Sequence, residues 1–214
     1  MRLAPTLSLA AALFALQAQA AEQTRSVGPF TSVSDSGPVN VRIEVGQPQS
    51  VTVSGDDELV ADLQTEVVGN ELKLHMKRDT TRFDSHRDAL RVTITVPQLT
   101  AFRMAGAGQA VISHMSGDSL DLRFAGAGTL KAEGSVRSLT LDVGGVGSID
   151  TRELHADTAN VSVGGVGTVR VWAGTRLDAS VGGVGSLKYY VNPKTVNTSV
   201  ACRGSISKGR ERDC

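Results

Sequence analysis

Apolar and polar residues alternate over short runs through the first half of the chain. The runs are Val39, Val41, Ile43, Val45; then Val51, Val53; then Leu72, Leu74, Met76; then Leu90, Val92, Ile94, Val96. A period of two means strands with one buried face. Gly46 to Ser50, with Pro48, and Gly69-Asn70 punctuate them. The Gly-Asn pair fits a hairpin turn, because glycine takes positive φ without a Cβ clash. Only Asp56 to Leu63 has helical spacing, enough for a turn or two.

From Leu99 onward a second, longer period is laid over the first. Gly-x-Gly recurs as Gly106/Gly108, Gly126/Gly128, Gly145/Gly147, Gly165/Gly167 and Gly183/Gly185, with a degenerate copy at Cys202-Arg203-Gly204. The steps are 20, 19, 20, 18 and 19 residues, which fits one coil of a β-solenoid and misses the common helical repeats. Aligned on the first glycine, three columns are apolar. Four residues before it stand Phe102, Leu122, Leu141, Val161, Ala179 and Thr198, and two before it Met104, Phe124, Val143, Val163, Val181 and Val200. Four after it stand Ala110, Leu130, Ile149, Val169, Leu187 and Ile206. Polar residues fill the positions between, including Ser162, Ser180 and Ser199 before the glycine and Ser148, Thr168 and Ser186 after it. Each repeat therefore reads as a strand, a glycine corner and a second strand. The corner needs conformations or close backbone approach that a Cβ would obstruct. The fold class is all-β, a parallel β-helix-like solenoid preceded by alternating N-terminal strands.

Composition adds a compartment. Arg2, an apolar run from Leu7 to Leu16 and the small-x-small site Ala18-Gln19-Ala20 read as a signal peptide over residues 1–20. The run is shorter than the roughly 20 residues that span a bilayer. The expected product is exported, periplasmic or at the cell surface, with a β-helical domain over 21–207 and a basic tail over 208–214. Removing 20 of 214 residues leaves 194, with 21 Lys and Arg against 22 acids, a balance that favours neither nucleic acid nor an anionic membrane. Aromatic residues make up only 4% and glycines number 23, so the core is thin and aliphatic.

The signal peptide, the alternating strands, Val96-Pro97-Gln98-Leu99 running into Ala105-Gly106-Ala107-Gly108, and the tandem Gly-x-Gly phrases resemble the bacterial head GIN domain family, labelled putative autotransporter adhesin. The resemblance covers roughly Val27 to Ser207. It implies a secreted β-helical domain of bacterial envelopes and brings no catalytic residue with it.

Candidate chemistry is sparse. The Gly-Gly-Val-Gly phrases look like calcium-binding nonapeptides, but Ile149, Val169 and Leu187 stand where an Asp ligand is needed. Arg82, Asp84, His86 and Asp88 form a candidate binding loop in which the neighbouring cations oppose a metal. His75, His114 and His155 lack ligand spacing, and no cofactor or metal is expected. Cys202 and Cys214, in an oxidising compartment, are a candidate disulfide that would fold the tail over the last coil. The leading reading is a non-enzymatic adhesion-type or structural module with an unknown envelope protein or glycan as partner. The rivals are a carbohydrate-active β-helix enzyme and a homo-oligomerising scaffold whose open ends pair.

Overall fold

A computed structural model of the protein describes residues 21–77, 90–201 and 203–209. The expected signal peptide, the loop residues Arg82, Asp84, His86 and Asp88, and both Cys202 and Cys214 lie outside the described residues. The fold is a β-solenoid of about 5 turns, with 73% of the described residues in strands. Its regular part consists of long bent strands, β9 (Ala107–Phe124), β10 (Ala127–Val143), β11 (Val146–Val163) and β12 (Val166–Val181), stacked parallel and nearly in register. Each runs from one glycine corner to the next and contributes to two faces of the coil.

The alternating N-terminal strands are built into the same stack. β2 (Ser32–Asp35) and β3 (Asn40–Val45) make one coil, and β6 (Glu71–Met76) and β7 (Arg91–Val96) make another beneath it. β8 (Ala101–Met104) joins β2 to β9. Antiparallel additions close this end: β1 (Ala21–Thr24) on β4 (Ser50–Gly55), β4 on β7, and β5 (Leu63–Val68) on β6 through the hairpin at Gly69, whose φ is +65°. The helical spacing becomes α1 (Asp57–Asp62), whose first turn is capped by the Asp56 carboxylate accepting from the Glu58 N–H at 3.0 Å. α1 buries Val60, and the Arg25 guanidinium donates to the Val60 carbonyl at 2.6 Å.

The three apolar columns line one continuous core, in which Phe102, Phe124, Leu130, Ile149, Val169 and Leu187 are buried. At the far end the stack stops at β13 (Val184–Tyr190), β14 (Thr195–Val200) and β15 (Ser205–Lys208). Thr198 and Val200 continue the inward columns, but no further coil among the described residues covers them, and every residue of β14 is exposed.

The corners show why glycine is needed. A Cβ on Gly126 would strike the Gly106 carbonyl, and one on Gly145 would strike that of Gly126. The same collision recurs at Gly165 on Gly145 and Gly183 on Gly165. The second glycines form a parallel column in which Gly108 meets Val39, Gly128 meets Gly108, Gly147 meets Gly128, Gly167 meets Gly147 and Gly185 meets Gly167. At Gly167 φ is +152°, whereas φ at Gly147 lies outside the left-handed region. Close approach of stacked backbones is thus the general requirement and positive φ an additional one at some coils. Gly204 differs, since its Cβ would meet the Val181 side chain. Gly106 rests on Gly37, so Asp35-Ser36-Gly37 is a further copy of the corner.

The first glycine of each Gly-Gly pair is another matter. A Cβ on Gly144 or Gly182 would meet nothing within 4 Å, and neither has a left-handed φ. Gly144→Ala is therefore expected to leave the fold intact and to raise stability by up to about 1 kcal/mol by restricting the unfolded chain. Thermal unfolding checks it, and a lower melting temperature contradicts it.

Candidate functional site

The face formed by the strands before each corner carries two outward polar columns. Parallel register aligns Asn160, Asp178 and Asn197 in one, and Ser162, Ser180 and Ser199 in the other. Between them the backbone of Val161, Ala179 and Thr198 forms the floor of a shallow trough of about 310 Å³. It runs along the solenoid axis, across the strands. Its shape follows from side-chain size, because serine on one rim leaves the floor open while Asn and Asp raise the other.

Asp178 is the fixed charge of the trough. Its carboxylate accepts from Arg176 Nε at 2.6 Å and Nη2 at 3.1 Å, and from Asn197 Nδ2 at 2.7 Å. The hydrogen bonds from Arg176, and then from Asn197, hold its pKa below the usual carboxylate range. The group is an oriented acceptor at neutral pH. It has no carboxylate across the ladder, since Asn160 and Asn197 flank it, Thr140 stands opposite Asp121, and Ser162 stands opposite Asp142.

Other features were hidden in the sequence. The middle residue of each corner points outward, and register stacks Val146, Val166 and Val184 into an apolar ridge, each about half exposed at 58%, 48% and 53%. The chain's one Trp and both Tyr gather on the opposite bend: Trp172 lies beside Tyr190 in register, His155 stacks on Trp172 at 4.6 Å, and the Arg152 guanidinium sits 5.6 Å from the Tyr190 ring centre. Residues 172, 189 and 190 show no clustering until the coil period is applied. Asp35 is fully buried with Leu74 and Met104 across the ladder. One carboxylate oxygen accepts from the Gly37 N–H at 2.9 Å and the other has no partner among the described residues. Burial pushes its pKa up to about 7 against the Gly37 hydrogen bond. Aligning Asp35-Ser36-Gly37 with Met104-Ala105-Gly106 is the signal that would have exposed it as an inward residue.

His75, His114 and His155 stand on β6, β9 and β11 respectively. Among the described residues no group of three or more His, Cys, Asp or Glu is placed to hold a metal ion, and no helix is long and apolar enough to cross a membrane.

A family model described as "Putative auto-transporter adhesin, head GIN domain" matches residues 29–193. A crystal structure of a putative adhesin from Bacteroides fragilis is similar at 24% identity and a TM-score of 0.71, covering 90% of this chain and 98% of that one. A putative lipid binding protein from Parabacteroides distasonis is similar at 18% identity and TM-score 0.56, again covering 90% and 98%. A putative adhesin from Parabacteroides merdae follows at 13% and 0.51, covering 90% and 97%. At such identities the likeness is one of fold. No curated protein matches the chain.

Proposed function

Because the chain belongs to the head GIN domain family, we propose that it is an exported, non-catalytic binding module that holds an extended glycan along the trough between the Asn160–Asp178–Asn197 and Ser162–Ser180–Ser199 columns. The trough carries this reading. Its hydroxyl, amide and carboxylate groups repeat with the strand spacing of about 4.8 Å, whereas side chains on one face of an extended peptide repeat at about 6.7 Å. The shorter step is close to the length of one sugar ring and mismatched to a peptide strand. Ring hydroxyls are both donors and acceptors, which suits a rim mixing Asn, Ser and a fixed carboxylate.

A binding role rather than hydrolysis is supported by the isolation of Asp178. Glycoside cleavage uses two carboxyl groups about 5 to 9.5 Å apart, one as acid and one as base or nucleophile, and the neighbours of Asp178 along its column are carboxamides. Export is supported by the signal-peptide pattern over residues 1–20 and by the description of the matching family as auto-transporter adhesins.

The test is a panel of bacterial-surface glycans probed with the protein and with Ser180→Tyr. Ser180 is exposed, so its ring would fill the trough without disturbing the core. The variant is expected to melt as the native protein does and to bind at least about tenfold more weakly, about 1.4 kcal/mol. Equal glycan binding by both proteins would refute the assignment.

A further inference from the structure

The trough does not end at a wall. It runs out at β14, which pairs with β12 alone among the described residues and forms the last rung of this face. β14 is also unusual as an edge. Natural edge strands are blunted by charge, proline or bulges, yet Thr195–Val200 contains none of these. Its inward-facing Val196 and Val200 are 39% and 48% exposed. The Ala201 N–H donates to the Val181 carbonyl, so by the alternation of a parallel ladder Val196, Thr198 and Val200 turn their own N–H and C=O groups to the open side. The residues with uncovered side chains are thus the ones with unpaired backbone.

We propose that a second copy of this chain occupies this edge, through antiparallel pairing of β14 with the same strand of the partner about a two-fold axis at Thr198. The spacing selects the register. Centring on Thr198 places Val196 against Val200 in both directions and lets all three outward backbone pairs bond, and every residue keeps its face because directly opposed residues point the same way. Lys194 and Arg203 lie beyond the paired strand. A two-fold contact uses the same edge on both copies, so it closes after two. Asn197 then faces Ser199 of the partner subunit on the outer surface, and the trough continues across the axis at twice its length. The consequence for ligand rests on the glycan reading above, while the dimer does not.

Sedimentation of the purified protein over a wide concentration range, under reducing conditions, is expected to show reversible doubling of mass. Thr198→Lys, which sets two cations against each other at the axis, should remain a monomer and melt as the native protein does at concentrations low enough to dissociate it, since Thr198 is exposed in the single chain. Opposed Cα atoms in such a hydrogen-bonded pair lie about 5.5 Å apart, with their Cβ atoms wider than a disulfide bridges but within the span of a short bis-maleimide. With Cys202 and Cys214 replaced by Ser, Thr198→Cys should therefore be joined by that reagent into a covalent dimer. A native monomer at all concentrations, assemblies that grow beyond two copies, or failure of Thr198→Cys to cross-link would each overturn the proposal. A monomer whose glycan binding is abolished by Ser180→Tyr would overturn the dimer and leave the glycan reading standing, whereas a dimer without glycan binding would do the reverse.

Discussion

Gly147→Val is expected to cost more than about 4 kcal/mol and to lower the melting temperature by about 8 to 16 °C or more. The new Cβ would lie far inside contact distance of the Gly128 carbonyl oxygen, 2.9 Å from its carbon and 3.1 Å from Phe124 Cζ. Flexible side chains yield to such a collision, but stacked backbone does not. The corner is pinned from both sides, because the Val146 N–H donates to Gly126 and the Val166 N–H to Gly145, each at 2.9 Å. Moving one coil to make room breaks the ladders above and below it. A circular dichroism melt of the variant decides the matter, with Gly144→Ala as the matched control at the same corner. Equal melting of native protein and Gly147→Val would show that the stack can open locally.

The second large effect is on pH. Asp35 has a folded pKa of about 7 against an ordinary 3.8, so between those values the folded state holds a proton that the unfolded chain has lost. The contribution of Asp35 to stability is therefore fullest below about pH 4, falls as pH rises through the window, and levels off above about 7. The full drop is on the order of 4 kcal/mol. Asp35→Asn keeps an oxygen for the Gly37 N–H and cannot ionise. It should match the native protein at pH 4 and exceed it by up to about 4 kcal/mol at pH 8, as read from denaturant midpoints at the two pH values. Parallel stability curves for the two proteins would contradict the assignment.

Most of the fold was legible because a stacked coil writes its geometry into columns. Gly106 through Gly185, with Phe102, Met104 and their successors, encode a corner and the side that faces inward. The second bend was not legible. Register slips between Lys131 and Gly134 and between Thr151 and Thr158, so the variation in repeat length is absorbed there by bulges that have no shared residue code. Gly134 at φ +130° and His114 at φ +57° solve the same bend differently.

The candidate site was half legible. Both columns follow from alignment on the first glycine, the serines three residues before it and Asn160, Asp178 and Asn197 five before it, but the open trough between them and the Arg176–Asp178–Asn197 hydrogen bonds appear only in the structure. The exposure of β14 was hidden for a related reason. Alternation says which way Val196 and Val200 point and says nothing about whether another coil lies beyond them.

The unequal ends of the rod also bear on how it meets force. Anchored at one end and pulled by a bound surface at the other, a stack of parallel coils yields where its outermost rung has a single neighbour. Within a single chain, among the described residues, β14 is held by β12 alone and β15 by β13 alone, so tension on the C-terminal side of a monomer is expected to peel one coil at a time, each exposing a fresh edge like the last. The α1-capped end, where antiparallel strands tie separate coils together, resists the same load as a block. Such a molecule lengthens in steps under strain and keeps the rest of its contact face in place.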